Sequence, residues 1–240
     1  MSNQQTINTV LAALEREPSV NLHTYPLRLD FSEGVLTLEG EVEDIAAKKR
    51  TLLAGAGVAG VDRIVDRIRL TPAERMQDGE IRDHVCNTLQ AESLLSSCAL
   101  SSIAKGKPET VRAGGPEPDG SIEVEVRDGV VILNGTVTSH SHKRLAGVLA
   151  WWVPGSTDVV NGIEIDPPED DSADELVDAV RLVLEKDPFV NASQIRVTCD
   201  NYIVVLEGLV KNDVQRKMAE ADAWYVFQVD GVVNLLEVEE

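Results

Sequence analysis

The sequence predicts an α+β protein of three tandem αββαβ modules, each a three-stranded mixed sheet with two helices on one face. Three observations predict it. The motif Leu-x-Gly-x-Val recurs at Leu38–Val42, Leu133–Val137 and Leu206–Val210. The residues flanking Gly40, Gly135 and Gly208 align without gaps for about ten positions on either side. The same succession of hydrophobic patterns, helical and then alternating, surrounds each copy of the motif.

Each module opens with an amphipathic helix. Its apolar positions are Ile7, Val10, Leu11 and Leu14 in the first copy, Ile81, Val85 and Leu89 in the second, and Leu176, Val180, Val183 and Leu184 in the third. Period-two segments follow: LRLDF, IEVEVRD and IRVTCD. A turn position comes next, at Gly34, Gly129 and Tyr202, and then the aliphatic runs VLTLEG, VVILNG and IVVLEG. This is the pattern of a β-hairpin. Tyr202, standing where the other copies have glycine, implies a different turn in the third copy.

Four residues past the motif glycine stand Asp44, Ser139 and Asn212, whose side-chain oxygens can accept an unpaired backbone N–H at a helix start. The helices IAAKKRTLLAGA, HSHKRLAGVLAWW and DVQRKMAEADAWYVF follow. Gly60, Gly155 and Gly231 lie near their ends, where a left-handed terminating residue is favoured. A last strand closes each copy: VDRIVDRIRL, TDVVNGIEI and VVNLLEVEE. Two amphipathic helices then cover one sheet face, and the crossover through the second helix is expected to be right-handed. The module boundaries fall at 1–72, 77–166 and 172–240, and the segment 101–120, rich in Gly and Pro, reads as a mobile polar loop inserted in the second copy.

Composition narrows the function classes. Hydrophobic residues make up 43% of the 240-residue chain but aromatics only 4%, so aliphatic side chains must fill the cores. The formal net charge of −19 is uneven: residues 1–75 carry 9 basic and 11 acidic side chains, and residues 167–240 carry 6 and 17. Such a field repels phosphate polymers at long range, which argues against general nucleic-acid binding. The opening MSNQQTINTVLAALEREP lacks a basic leader pattern, and no apolar stretch approaches the ~20 residues of a membrane span. A cytoplasmic protein without a transmembrane segment is the expectation. Cys86, Cys98 and Cys199 show no CxxC spacing and read as reduced, buried thiols.

The hairpin turn with Gly34 or Gly129, the threefold Leu-x-Gly-x-Val motif, and the late pairs Gly60-Val61 and Gly231-Val232 together resemble the BON family (bacterial OsmY and nodulation domain). Asn161 and Asn234 are similar to the asparagine often seen in that family's last strand. The resemblance covers nearly the whole chain as three consecutive domains. It implies a non-catalytic role of the kind found in envelope-stress proteins, secretins and channels. Many such domains are labelled phospholipid-binding, and some members bind potassium. The missing export pattern and the acidity of this chain depart from many family members.

Candidate site residues carry two readings each. The basic pairs Lys48–Lys49, Lys143–Arg144 and Arg216–Lys217 are the one charge feature in all three copies. Close to helix N-termini they could bind anions, and the plainer alternative is a solvated helix face. Lys105, Lys107 and Arg112 form a basic cluster in the insertion, either an intermolecular contact or a polar loop. Trp151, Trp152, Trp224, Tyr225 and Phe227 fall late in second helices. Successive helical residues point ~100° apart, so Trp151 and Trp152 cannot both enter one small core, and packing between modules is the expected use. His140-x-His142 and His84-x-Cys86 diverge on a helix, so no metal site is expected. No cofactor is expected either. No P-loop, G-x-S-x-G, G-x-G-x-x-G or HExxH appears, which argues against an enzyme. The expected function is a non-catalytic binding or scaffold protein of bacterial stress or envelope-associated type, holding a protein or small polar ligand whose identity the sequence does not give. The alternatives are peripheral phospholipid binding through the basic pairs, or a potassium or other cation sensor.

Overall fold

Each hairpin turns on two residues with positive φ: Glu33–Gly34, Asp128–Gly129 and Asn201–Tyr202. Two central residues of this kind match the right-handed twist of the flanking strands. The third copy therefore keeps the turn of the other two, and the different turn expected from Tyr202 is not found. Asparagine tolerates a left-handed backbone, so Asn201 eases the turn while Tyr202 takes φ 62.

The computed structural model describes residues 2–115 and 118–239. In chain order the elements are α1 (Asn3–Leu14), β1 (Arg28–Ser32), β2 (Val35–Val42), α2 (Ile45–Ala56), β3 (Arg63–Leu70), α3 (Asp78–Ala91), β4 (Ala99–Ala104), β5 (Lys107–Arg112), β6 (Gly120–Arg127), β7 (Val130–Val137), α4 (His140–Trp151), β8 (Asp158–Asn161), β9 (Glu164–Ile165), α5 (Ala173–Lys186), β10 (Ile195–Asp200), β11 (Ile203–Val210), α6 (Asp213–Tyr225) and β12 (Gly231–Val238). Short 3-10 turns at Ser93–Leu95 and Ala192–Gln194 complete the path.

The first and third sheets have the same topology. β1 runs antiparallel to β2 and β3 parallel to it; β10, β11 and β12 repeat the arrangement. The middle sheet is larger than the three strands expected. Its order is β5-β4-β6-β7-β8, with β9 also on β7. The segment expected to be a mobile loop is in large part a hairpin, β4–β5, turning at Lys105–Gly106 with both φ positive. β4 lies parallel to β6 and extends the sheet. The Gly/Pro content of 101–120 obscured the alternation of ALSSIA, which buries Leu100 and Ser102. Pro116 and Glu117, in the same segment, lie outside the described residues.

The motif glycines have equivalent surroundings. Gly40, Gly135 and Gly208 take φ of 147°, 120° and 137°, and a Cβ on them would press on the carbonyls of Pro26, Ser121 and Gln194, each at or just before the strand that pairs antiparallel with the motif strand. Only glycine fits both conditions. The caps are equivalent too: Asp44, Ser139 and Asn212 accept from the backbone N–H of Ala47, His142 and Gln215 at 2.8, 3.2 and 2.9 Å. The late glycines are not. Gly60 alone of the three has positive φ, and it follows the end of α2 at Gly57 by several residues. Gly155 instead admits Met76 and Ile81, and Gly231 admits Ile203. Close approach, rather than a left-handed terminus, is what excludes a side chain there.

The chain divides into two compact units, residues 1–71 and 72–240. In the first, α1 and α2 pack together, with Val10, Leu14, Leu36, Leu38 and Ile68 fully buried. In the second, α3 and α4 cover the middle sheet and α5 and α6 cover the third. Helix α4 also packs on α5 and α6, and Leu182 of α5 reaches the core of the middle module. The two helical layers therefore share one junction.

Candidate functional site

The basic pairs occupy the same turn of α2, α4 and α6, yet their side chains have different partners. Asn161 and Asn234 explain why. Asn161 Nδ2 donates to the Lys143 carbonyl at 2.7 Å, and Asn234 Nδ2 donates to the Arg216 carbonyl at 3.0 Å. Their Oδ1 atoms accept from Ile163 N and Leu236 N. The amide thus ties the last strand to the second helix. Asp66 holds this position in the first module and accepts from Ile68 N at 2.8 Å, but a carboxylate has no proton to donate. Lys48 supplies the missing donor. Its ammonium lies 3.0 Å from Asp66 and donates to the Ile68 carbonyl at 2.8 Å, with 6% of the side chain exposed. Lys49, the next residue, is half-buried.

Arg144 is the centre of the junction between the second and third modules. It is 1% exposed, donating through Nη2 to Asp171 at 2.5 Å and Gln228 at 2.8 Å, and through Nε to the Phe227 carbonyl at 3.3 Å. A guanidinium so deep is tolerated only with such partners. Lys143 sits 5.2 Å from the centroid of the half-exposed Phe227 ring. Its pKa is lowered, first by burial and then by the Arg144 charge. Arg216 pairs with Asp213 at 3.0 Å, and Lys217 is exposed.

The aromatic residues meet at this same junction. Trp151 and Tyr225 pack with ring centroids 5.7 Å apart. Trp152 packs against the middle core and donates its Nε1–H to Asp222 Oδ1 at 3.2 Å, while Trp224 is enclosed in the third module. Asp222 is 4% exposed, and burial, reinforced by the Asp187 carboxylate, pushes its pKa up to about 8. At the opposite end Lys186 pairs with Glu92 at 2.8 Å. Burial works to raise the Glu92 pKa, but the Leu94 N–H and Lys186 outweigh it and hold it below the usual value.

A further group converges beside Arg144. Donor atoms of His140, Asp171 and Glu175 lie within 4.8 Å of one another, where sequence spacing had predicted no metal site. His140 starts α4 in one module, and Asp171 and Glu175 flank the start of α5 in the next, so no local motif announces them. Asp187, Asp222 and Gln228 escaped the sequence reading for the same reason. In the inserted hairpin Arg112 is not free: it donates to the carbonyls of Cys98, Gln90 and Leu95, fastening β5 to the end of α3, whereas Lys105 and Lys107 are exposed. Of the cysteines, Cys86 and Cys98 are buried, and Cys199 is half-buried rather than enclosed as expected. Burial raises the Cys86 thiol to about 11.

Among the described residues, no helix is long and apolar enough to cross a membrane. The chain is similar to osmotically-inducible protein Y of Escherichia coli (strain K12), at 24% identity over 144 residues. That alignment takes in 60% of this chain and 64% of the relative, so the likeness spans less than two thirds of either. Among solved structures, the C-terminal domain of CdsD, a structural protein of the type III secretion system of Chlamydia trachomatis, aligns over 100% of both chains at 14% identity and a TM-score of 0.25. A second CdsD structure covers 98% of this chain and 94% of its own at 16% identity and a TM-score of 0.24. Scores this low carry no argument. A family model described as BON domain matches residues 2–72, 111–167 and 172–240; matched across most of its length, the chain belongs to the BON domain family.

Proposed function

We propose that this is a non-catalytic binding or scaffold protein of bacterial stress or envelope-associated type, with modules at 1–72, 77–166 and 172–240, and that the outer face of its third sheet holds a protein partner. The likeness to an osmotically-inducible protein supports the stress setting. The observation that carries the binding reading is the chemistry of that face. Ile203, Leu209, Val233 and Leu235 stand exposed on β11 and β12, opposite to the buried Val204, Leu206, Val232 and Leu236. On the first sheet the same outward positions of β3 carry Arg63, Val65, Arg67 and Arg69. These aliphatic side chains, interspersed with Glu207 and Glu237 on the most acidic module, form a surface that gains by being covered.

The test is a photo-crosslinking amino acid at position 233 or 235, with position 125 on the middle sheet as control, in cells under osmotic stress. Discrete protein adducts at 233 and 235 but not at 125 are expected. Adducts absent from both positions, or equal at all three, refute the reading.

A second reading rests on Phe227 and Lys143, an exposed ring beside a cation, which suits peripheral contact with anionic phospholipid. It requires co-sedimentation with anionic vesicles that weakens with salt and with Lys143→Gln. Absence of co-sedimentation at low salt removes it.

A further inference from the structure

Two buried carboxylate oxygens at the module junction, Asp171 Oδ1 and Glu175 Oε2, have no hydrogen-bond partner. Such oxygens are costly to bury unless something neutralises them. The His140 ring faces the same spot, its Nδ1 3.9 Å from Asp171 Oδ2. Its other nitrogen, Nε2, lies 3.1 Å from the Glu169 carbonyl. A carbonyl only accepts, so Nε2 is the nitrogen that donates there, and Nδ1 is the atom left to face a metal ion. A backbone carbonyl fixing the far nitrogen is the usual support of a metal-bound histidine.

From this geometry we infer that His140 Nδ1, Asp171 Oδ1 and Glu175 Oε2 form a binding site for a divalent transition-metal ion, which clamps the second module to the third. One donor atom from each of the three residues lies within 4.8 Å of the other two, and bonds of about 2.0–2.2 Å need them roughly 1 Å closer. Small side-chain rotations at three partly exposed residues achieve that. Mixed imidazole and carboxylate donors suit zinc, cobalt or nickel better than magnesium, which takes oxygen. Arg144 holds the other Asp171 oxygen and cancels one of the two negative charges. The starts of α4 and α5 add positive potential. Both effects keep the affinity below that of a cysteine-built structural site, and they fit a reversible clamp. Three protein donors leave a further coordination position for water.

The experiment uses the full chain stripped with chelator and titrated with Zn²⁺, and with Co²⁺ as a spectroscopic probe. One ion per chain is expected, with visible ligand-field bands of bound Co²⁺ that Zn²⁺ abolishes. At a hundredfold excess over the dissociation constant, the thermal midpoint rises by roughly 5–10 °C. His140→Ala and Glu175→Gln each weaken binding at least about tenfold, while His142→Ala on the same helix leaves it unchanged. Glu175→Gln keeps the side-chain shape and decides the matter if His140→Ala does not fold. The inference is overturned if Zn²⁺ fails to bind stoichiometrically, if affinity survives Glu175→Gln, or if Mg²⁺ binds as tightly as Zn²⁺.

Discussion

Replacing Asp222 with asparagine should make the second unit more stable at pH 8 than at present, and should flatten its dependence on pH. Asp222 keeps its proton to about pH 8 in the folded protein because it is buried beside Asp187, whereas the unfolded chain loses it near pH 3.8. Between those values unfolding releases a proton, so stability falls as pH rises and levels off above about 8, the reverse of a salt-bridged carboxylate. The slope is about 1.4 kcal/mol per pH unit, and the accumulated cost at pH 8 is on the order of 5 kcal/mol. An asparagine carbonyl can still accept from Trp152 Nε1, and its amide can donate to Asp187, so the junction keeps its bonds. The three tryptophans, Trp151, Trp152 and Trp224, all belong to the second unit, which makes their fluorescence a reporter of that unit alone. Urea unfolding of wild type and Asp222→Asn at pH 5, 6, 7 and 8 gives the comparison. The variant's advantage should grow with each step. A difference that stays constant across this range refutes the reasoning.

Arg144→Met removes three junction bonds and leaves Asp171 buried and unpaired, so urea unfolding should show a loss of about 3–5 kcal/mol. Lys48→Met should destabilise the first unit, and adding Asp66→Asn should restore much of the loss, because asparagine then bonds as at 161 and 234; a double-mutant cycle read by hydrogen exchange of β3 should show coupling of about 0.5–3 kcal/mol. Cys86, buried and with its thiol raised to about 11, should resist a disulfide reagent at pH 8 in the native chain and react once urea unfolds it; equal rates in both states contradict its placement.

Legibility in the sequence followed the range of the interactions. Motif glycines, caps and strand pairing depend on residues close in the chain, and Gly40, Gly135, Gly208, Asp44, Ser139 and Asn212 all announced their conformations. Tyr202 misled because turn chemistry was judged at one position, when Asn201 beside it shares the strain. Gly155 misled because a glycine needed for the approach of Met76 reads like one needed at a helix end. The basic pairs matched in spacing but not in partners, since what Lys48 does is set by Asp66 in a strand some twenty residues on. The Arg144 network and the His140 cluster draw on two modules at once. Side chains that meet only when two repeats dock leave no period to detect.

Tandem copies of one fold carry a hazard of their own: a nascent strand from one copy can insert beside the wrong neighbour. The hairpin β4–β5 bears on that hazard. In the first and third modules β1 and β10 end their sheets, but β6, at the corresponding place in the middle, is already flanked by β4. The outermost rail is then β5, short, with Lys107 and Pro108 at its start, which are poor invitations to a stray strand. Flanked in sequence by two lookalikes, the central copy is covered on the side where an exchange would begin.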